Sequence, residues 1–233
     1  SELFVFCDGP KDTNQNEKVR QVREYVKGIE GFRGIAVAER PENLGLAASI
    51  ISGVTQVINE YGRIIVLEDD IVTSPYFLTY MNKALEIYKD EYRVMSVAGY
   101  NYPVRTKLPE TFFIYGGTST WGWGTWKRAW TKFSPNGKEL LDQLIQHKEL
   151  IPRVNFGGTY DYLSMLKDNV DGKNDSWGIR WYASVFLLGG YGLWPRRSLV
   201  NNIGLDDTGR HCGTTDMFQV SPLADNVIVN KIP

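Results

Sequence analysis

The sequence is sparing with the residues that most often build a site alone. Among its 233 residues are two cysteines, Cys7 and Cys212, and two histidines, His147 and His211. Two cysteines so far apart make neither a disulfide framework nor a zinc-binding spacing. Cys7 lies in an apolar run and fits a small core residue. Charge of one sign is also lacking: 26 Lys and Arg face 27 Asp and Glu, for a net charge of −1. No bulk basic field is therefore available to attract nucleic acid or anionic lipid. No apolar run approaches the ~18 residues of a membrane span. Internal repeats, low-complexity linkers and leader patterns are absent too. What the chain has in quantity is aromatic residues, at 13%, with the tryptophans concentrated between Trp121 and Trp181. Its 42% hydrophobic and 23% charged composition is that of a folded globular protein.

The first hundred residues alternate between two periods. Leu3-Phe4-Val5-Phe6 is a short apolar run stopped by Cys7-Asp8-Gly9-Pro10, a strand followed by a turn. Val19, Val22, Val26 and Ile29 recur at helical spacing, so Asn16 to Gly28 is expected as an amphipathic helix. Ile35 to Ala38 and Ile64 to Leu67 are further strands, separated by a helix from Leu46 to Tyr61 that Gly62 ends. Ser74-Pro75 is expected to cap and begin a helix carrying Phe77, Met81, Leu85 and Tyr88. Arg93 to Val97 is a fourth strand. Strands apolar on both faces, alternating with helices, predict an α/β fold with a mostly parallel sheet flanked by helices. Beyond Gly99 the alternation loosens: strands at Phe112 to Tyr115 and Ser198 to Ile203, helices near 138–148, 160–167 and 179–188, then a tail without clear period. One domain with an elaborated C-terminal half is the simplest partition, with a first half over 1–99, a second over 100–213 and a tail over 214–233.

Parallel sheets bind ligands at the carboxyl ends of their strands. Three successive strand ends here carry polar groups: Asp8, then Glu39 with Arg40, then Glu68-Asp69-Asp70. An acidic triplet on a helix is normally a solvated face, but this one ends an apolar strand. Carboxylates there can hold Mg²⁺ or Mn²⁺, which share their coordination with substrate phosphates. Of the histidines, His147 sits among charged residues on a helix and is expected to be solvated. His211 lies in a polar loop, where a neutral imidazole can reach a metal.

These residues carry a resemblance. Glu68-Asp69-Asp70 after an apolar strand resembles the acidic motif of GT-A fold glycosyltransferases, particularly the N-acetylglucosaminyltransferase I-like branch and its bacterial members. Phe6-Cys7-Asp8-Gly9-Pro10-Lys11, Glu42-Asn43-Leu44-Gly45-Leu46 and Thr120-Trp121-Gly122-Trp123-Gly124-Thr125-Trp126 are similar to further segments, in the same order. So are Asp175-Ser176-Trp177 with Arg180-Trp181, and Ser198 to Gly204 followed by His211-Cys212. The likeness spans about Leu3 to Cys212.

The resemblance implies a GT-A, Rossmann-like fold and transfer of a sugar from a nucleoside diphosphate, UDP-linked, to a glycan or lipid-linked acceptor. It implies inversion at the anomeric carbon and assistance from Mn²⁺ or Mg²⁺. Asp70 and His211 would bind the metal, Asp69 the ribose, and Glu68 the donor or the metal's waters. Asp8 would meet the base, although an aspartate before Gly-Pro fits a turn equally well. Asn43 and Gly45 would allow close backbone approach. Asp175 would be the general base, and it also fits a helix cap; Asp161, Asp168 and Asp171 are weaker candidates. Trp121 and Trp123 would line the acceptor pocket, with Trp126 better placed in the core. Polysaccharide assembly in the cytoplasm, at the inner face of a bacterial membrane, is the implied setting. Sugar nucleotidyl transfer and a non-catalytic carbohydrate-binding relic are the competing readings.

The likeness carries one structural expectation more. GT-A proteins have a strand before the segment matching Leu3 to Phe6, and this chain enters that segment directly from Ser1. Either a rearranged pairing around Leu3 to Cys7 and Ile64 to Leu67 is expected, or a strand borrowed from another copy of the chain, a homo-oligomer joined through an exposed sheet edge.

Overall fold

A computed structural model describes residues 1–104, 106–204 and 217–232. The chain divides into two compact units, Ser1–Glu60 and Tyr61–Pro233, so the division precedes the acidic strand rather than falling near residue 99.

In the first unit, β1 (Glu2–Cys7) pairs in parallel with β2 (Gly34–Glu39), joined by α1 (Asn16–Lys27), and α2 (Leu46–Tyr61) follows. Apolar periodicity and its punctuation place all four elements as expected. Between α1 and β2 charge completes the packing, with Lys27 2.9 Å and Arg23 3.6 Å from Glu39. The α2 helix presses closely on β1: a methyl group at Gly53 would lie 3.1 Å from the Phe6 ring.

The second unit is built on a five-stranded sheet ordered β3-β7-β5-β8-β6. Its strands are β3 (Arg63–Val66), β5 (Val94–Ala98), β6 (Thr111–Tyr115), β7 (Trp123–Trp126) and β8 (Tyr191–Pro195). A separate antiparallel pair joins β4 (Ile71–Thr73) to β9 (Val200–Asn202). The fold is thus α/β, but this sheet is mixed. Only β5 and β8 run parallel, while β3 with β7, β5 with β7 and β6 with β8 are antiparallel. That corrects the expected mostly parallel sheet. A strand buried on both faces is apolar in either direction, so the pattern holds no information on polarity. Two insertions mix the directions: the Trp-Gly segment, an aromatic-glycine loop in the family the sequence resembles, enters as β7 between β3 and β5, and β6 adds antiparallel to β8. Gly124 permits the first insertion, since a methyl group there would lie 3.1 Å from the Ile64 carbonyl oxygen.

One helix, α3 (Phe77–Ile87), buries Phe77, Tyr80, Met81, Ala84 and Leu85. It begins two residues after Pro75, following a turn in which the Ser74 hydroxyl accepts from Tyr76 N, as a capping serine does, and donates to the Ala224 carbonyl. Short α4 (Lys127–Trp130) follows β7. Arg128 there lies over the Trp126 ring and donates to the carbonyls of Tyr88, Lys89 and Val94, tying the end of α3 to the start of β5. A helical layer of α5 (Gly137–Gln146), α6 (Ile151–Val154), α7 (Tyr162–Val170) and α8 (Trp177–Leu187) has its own core around Leu144, Leu166 and Phe186. The segment from 217 onward is not a loose tail: Ala224, Val227 and Val229 are buried in the sheet-and-α3 core. No helix among the described residues is long and apolar enough to cross a membrane.

Trp123 is completely buried, with its ring 5.3 Å from Trp177, 5.9 Å from Trp130 and 6.2 Å from Trp181. Trp123→Ala should therefore cost about 3–5 kcal/mol, as other core tryptophan truncations do. Chemical denaturation of both proteins measures this, and a loss below about 1 kcal/mol would show that the indole is not a core element.

Candidate functional site

The acidic turn follows directly from β3. Its last apolar residue, Leu67, is 44% exposed, and Ile71 N returns to the Glu68 carbonyl to close the turn into β4. Pairing of β4 with β9 then brings Asn202 and Gly204 alongside. Asn202 Nδ2 donates to Asp70 Oδ2 at 3.3 Å, and Ile203 N donates to the Asp70 carbonyl at 2.9 Å. A methyl group at Gly204 would lie 2.6 Å from Asp70 Oδ2, so a bare backbone is needed there. The Gly204 conformation is itself held by a 2.8 Å bond from its N–H to Asn202 Oδ1.

Crowding sets the electrostatics of this turn. Burial, followed by the Asp70 and Asp69 charges, raises the Glu68 carboxyl from the usual 4.5 to about 7. Burial and Asp69 raise Asp70, against the lowering effect of the Asn202 amide. Two partly desolvated carboxylates beside an exposed third favour whatever restores positive charge, either a proton or a cation. Among the described residues, no three His, Cys, Asp or Glu side chains converge as a metal-holding group. The turn thus fits a hard cation only in the manner of Mg²⁺ or Mn²⁺, held by one or two carboxylates with the remaining ligands from substrate and water. His211 lies outside the described residues.

The expected catalytic base, Asp175, precedes α8. It is not the cap: Ser176 is, its hydroxyl accepting from Ile179 N at 3.3 Å. Asp175 remains exposed and takes a 3.1 Å bond from Arg180 Nη2. The start of α8 lies against the Trp-Gly loop, where a methyl group at Gly178 would be 2.8 Å from Thr120 Cγ2. That loop touches the acidic strand in turn, because one at Gly122 would be 3.3 Å from Leu67 Cδ2. The turn, the loop and the start of α8 are therefore neighbours. The weaker candidates have other work. Asp161 caps α7, and both Asp168 and Asp171 pair with Lys173. His147 is exposed beside Glu149, as expected.

Of the two acceptor candidates, Trp121 is partly exposed and packs on Tyr100 at 4.6 Å. Trp123 has no accessible face to offer an acceptor, because β7 turns it into the tryptophan cluster.

The first unit holds the remaining expected contacts. Both Asp8 carboxylate oxygens accept from Leu44 N, at 2.9 and 3.1 Å, and Oδ2 also accepts from Gly45 N at 3.0 Å. Asn43 Nδ2 donates to the Gly9 carbonyl at 2.8 Å. These residues stitch the turn after β1 to the entry of α2, so the turn-forming reading of Asp8 describes its contacts, and Gly45 has the φ of +78° such an entry requires. Beside Asp8 is an open cleft of about 420 Å³ lined also by Cys7, Asp12, Asn14, Gln15 and Lys18. Asp12, Asn14, Gln15 and Lys18 are not among the sequence candidates; their one legible signal is a run of hydrogen-bonding side chains after a strand end. Asn202 entered only as part of the Ser198 to Gly204 likeness, without a role of its own.

No family model matches this chain, and no curated protein matches it.

The raised Glu68 makes a signed prediction. Its folded-state pKa exceeds the unfolded value, so the folded protein binds this proton more tightly. That contribution is complete below pH 4.5 and is lost as pH rises through about 7. Glu68→Gln, permanently neutral, should melt above wild type at about pH 8 and match it near pH 4, in scanning calorimetry. Identical melting differences at both pH values would refute the shift.

Proposed function

We propose that this protein is a metal-assisted glycosyltransferase of GT-A type, moving a sugar from a UDP-linked donor to a glycan hydroxyl with inversion. One observation carries the reading: a crowded acidic turn at the end of a sheet strand, with Glu68 lifted to about 7 and Asp70 steadied by Asn202. Such a turn is poised for a divalent cation, and a cation held there would offset the charge of a diphosphate leaving group. Asp70 is the protein's metal ligand in this reading, with His211 as a further one and Glu68 placed to hold the donor or the metal's waters. Asp69, the exposed member, is free to accept from ribose hydroxyls.

Asp175 serves as the base that takes the acceptor's proton. Its exposure suits a group that must meet an incoming hydroxyl, and Arg180 fixes its direction. Supporting this choice over Asp161, Asp168 and Asp171 is its place beside the loop that touches the acidic strand. Within the first unit, the open cleft at Asp8 is lined by Asn14, Gln15 and Asp12, which offer both hydrogen-bond donors and acceptors.

Two variants test the reading. Asp70→Asn should weaken Mn²⁺-linked binding of UDP about tenfold or more, measured by calorimetry. Equal affinities for wild type and variant would end the metal assignment. Asp175→Asn should leave UDP binding intact while lowering transfer about 10²–10⁴-fold in a sugar-release assay. Near-normal turnover would exclude Asp175 as the base.

A further inference from the structure

Between α6 and α7 the backbone does something costly. Phe156 has φ of +47°, the single non-glycine residue among those described with a left-handed backbone. Gly157 and Gly158 follow at +67° and +91°. A phenylalanine in that region persists only where its surroundings hold it there, and such outliers concentrate at functional positions. The effect of this one is to set the Phe156 ring 6.1 Å from Tyr182 and 5.7 Å from Tyr162 while leaving the residue 37% exposed.

Phe156 joins a ladder of rings that climbs from core to surface. Tyr182 is buried and donates to the Val154 carbonyl. Tyr162 stacks on it at 4.4 Å, and Tyr160 lies on Tyr162 at 4.5 Å and is 51% exposed. Tyr102, 43% exposed, comes from the loop after β5 to meet Tyr162. Its hydroxyl adds to burial in pushing the Tyr162 and Tyr182 phenols upward. Next to Tyr160, the Asp161 carboxylate is held rigidly by Ser164 N, Ser164 Oγ and Asn155 Nδ2. From Tyr102 the rings continue through Tyr100 at 5.4 Å to Trp121 at 4.6 Å, whose neighbour Gly122 abuts Leu67 beside the acidic turn.

We infer that Tyr102, Phe156 and Tyr160 form a platform for pyranose rings, the binding surface for the sugar units of an extended glycan acceptor. A pyranose presents a flat C–H face about the size of one aromatic ring, with hydroxyls around its rim. Electron-rich ring faces meet such C–H groups favourably, and phenol hydroxyls and a fixed carboxylate supply partners for the rim. An isolated carboxylate gives no reason to select a charged ligand. The assignment to a glycan rests on the transferase reading, whereas the platform itself rests on the rings. Its extension away from the acidic turn suits an acceptor longer than one sugar.

Saturation-transfer nuclear magnetic resonance tests it, using the methyl β-glycosides of glucose, galactose and N-acetylglucosamine at millimolar concentration. Wild type should transfer saturation to the ring C–H protons of at least one glycoside. Tyr160→Ala, a change at an exposed side chain, should weaken that binding about 3- to 10-fold, and Tyr160→Trp should preserve it. No transfer to any of the three from wild type, or equal binding by Tyr160→Ala, overturns the platform. So does a wild-type dimer in sedimentation that Tyr160→Ala dissociates, which would make the rings a self-association surface. Mn²⁺-linked UDP calorimetry on the same samples keeps the two readings apart. Glycoside binding without UDP binding defeats the transferase and spares the platform; the reverse defeats the platform alone.

Discussion

The second unit hangs on one tight crossing of backbones. Gly99 N donates to the Gly122 carbonyl at 2.7 Å, and Leu199 N donates to the Gly99 carbonyl at 2.8 Å. The ends of β5 and β7 and the approach to β9 are joined at that point. The crossing tolerates no side chain. A methyl group at Gly99 would lie 2.7 Å from the Gly122 oxygen, and one at Gly122 would lie 2.9 Å from Val200 Cγ1. Because β9 is fixed there, its pairing with β4 is fixed, and so are Asn202 and Gly204 against Asp70. The acidic turn, itself a short loop, thereby takes its geometry from a backbone contact that leaves no room for a side chain. A candidate site is most precise when its supports are regular elements rather than loops, and this turn is gripped by two strands.

Much of this was legible in the residues, and the rest failed for identifiable reasons. Val19, Val22 and Val26 announced α1, and Ile64 to Val66 announced β3, because each pattern is local. The direction of neighbouring strands is not local, so the mixed sheet was hidden. In the segment Trp121 to Trp126 the family resemblance implied a loop, yet Gly124 lets β7 pass close to Ile64. Asp8 illustrates a different limit. One carboxylate can fit a turn or a ligand equally well on paper, and only the positions of Leu44 N and Gly45 N reveal how it is engaged. The acidic triplet was visible from its place at a strand end. Its crowding against Asn202, 132 residues later, was not.

The aromatic residues divide by burial into two populations with different roles. Trp123, Trp130, Trp177 and Trp181 close on one another behind β7 and fasten the helical layer to the sheet. Tyr102, Tyr160 and Phe156 stand at the opposite extreme, each supported from below by another ring. Composition alone merges the two groups. Their separation comes from tertiary context, since Phe156 and Tyr160 lie 54 and more residues from Tyr102 and are linked to it through Tyr162 in α7 and Tyr182 in α8.

The burial of residues 217–232 bears on how the protein is made. Val227 and Val229 cover the face of α3, the Asn230 carbonyl accepts from the Tyr88 hydroxyl, and Ser74 reaches across to Ala224. Likewise, among the described residues, β3 has as its sheet partner β7 alone, about sixty residues downstream. A ribosome releases α3 and β3 long before the segments that cover them. During synthesis the apolar surfaces of Phe77, Met81 and Ile65 wait partly uncovered until residues 217–232 emerge. The first unit, whose β1, β2 and α2 are all neighbours in sequence, has no such delay. Translation therefore delivers one unit whose contacts are local in sequence and one whose core is assembled from distant segments.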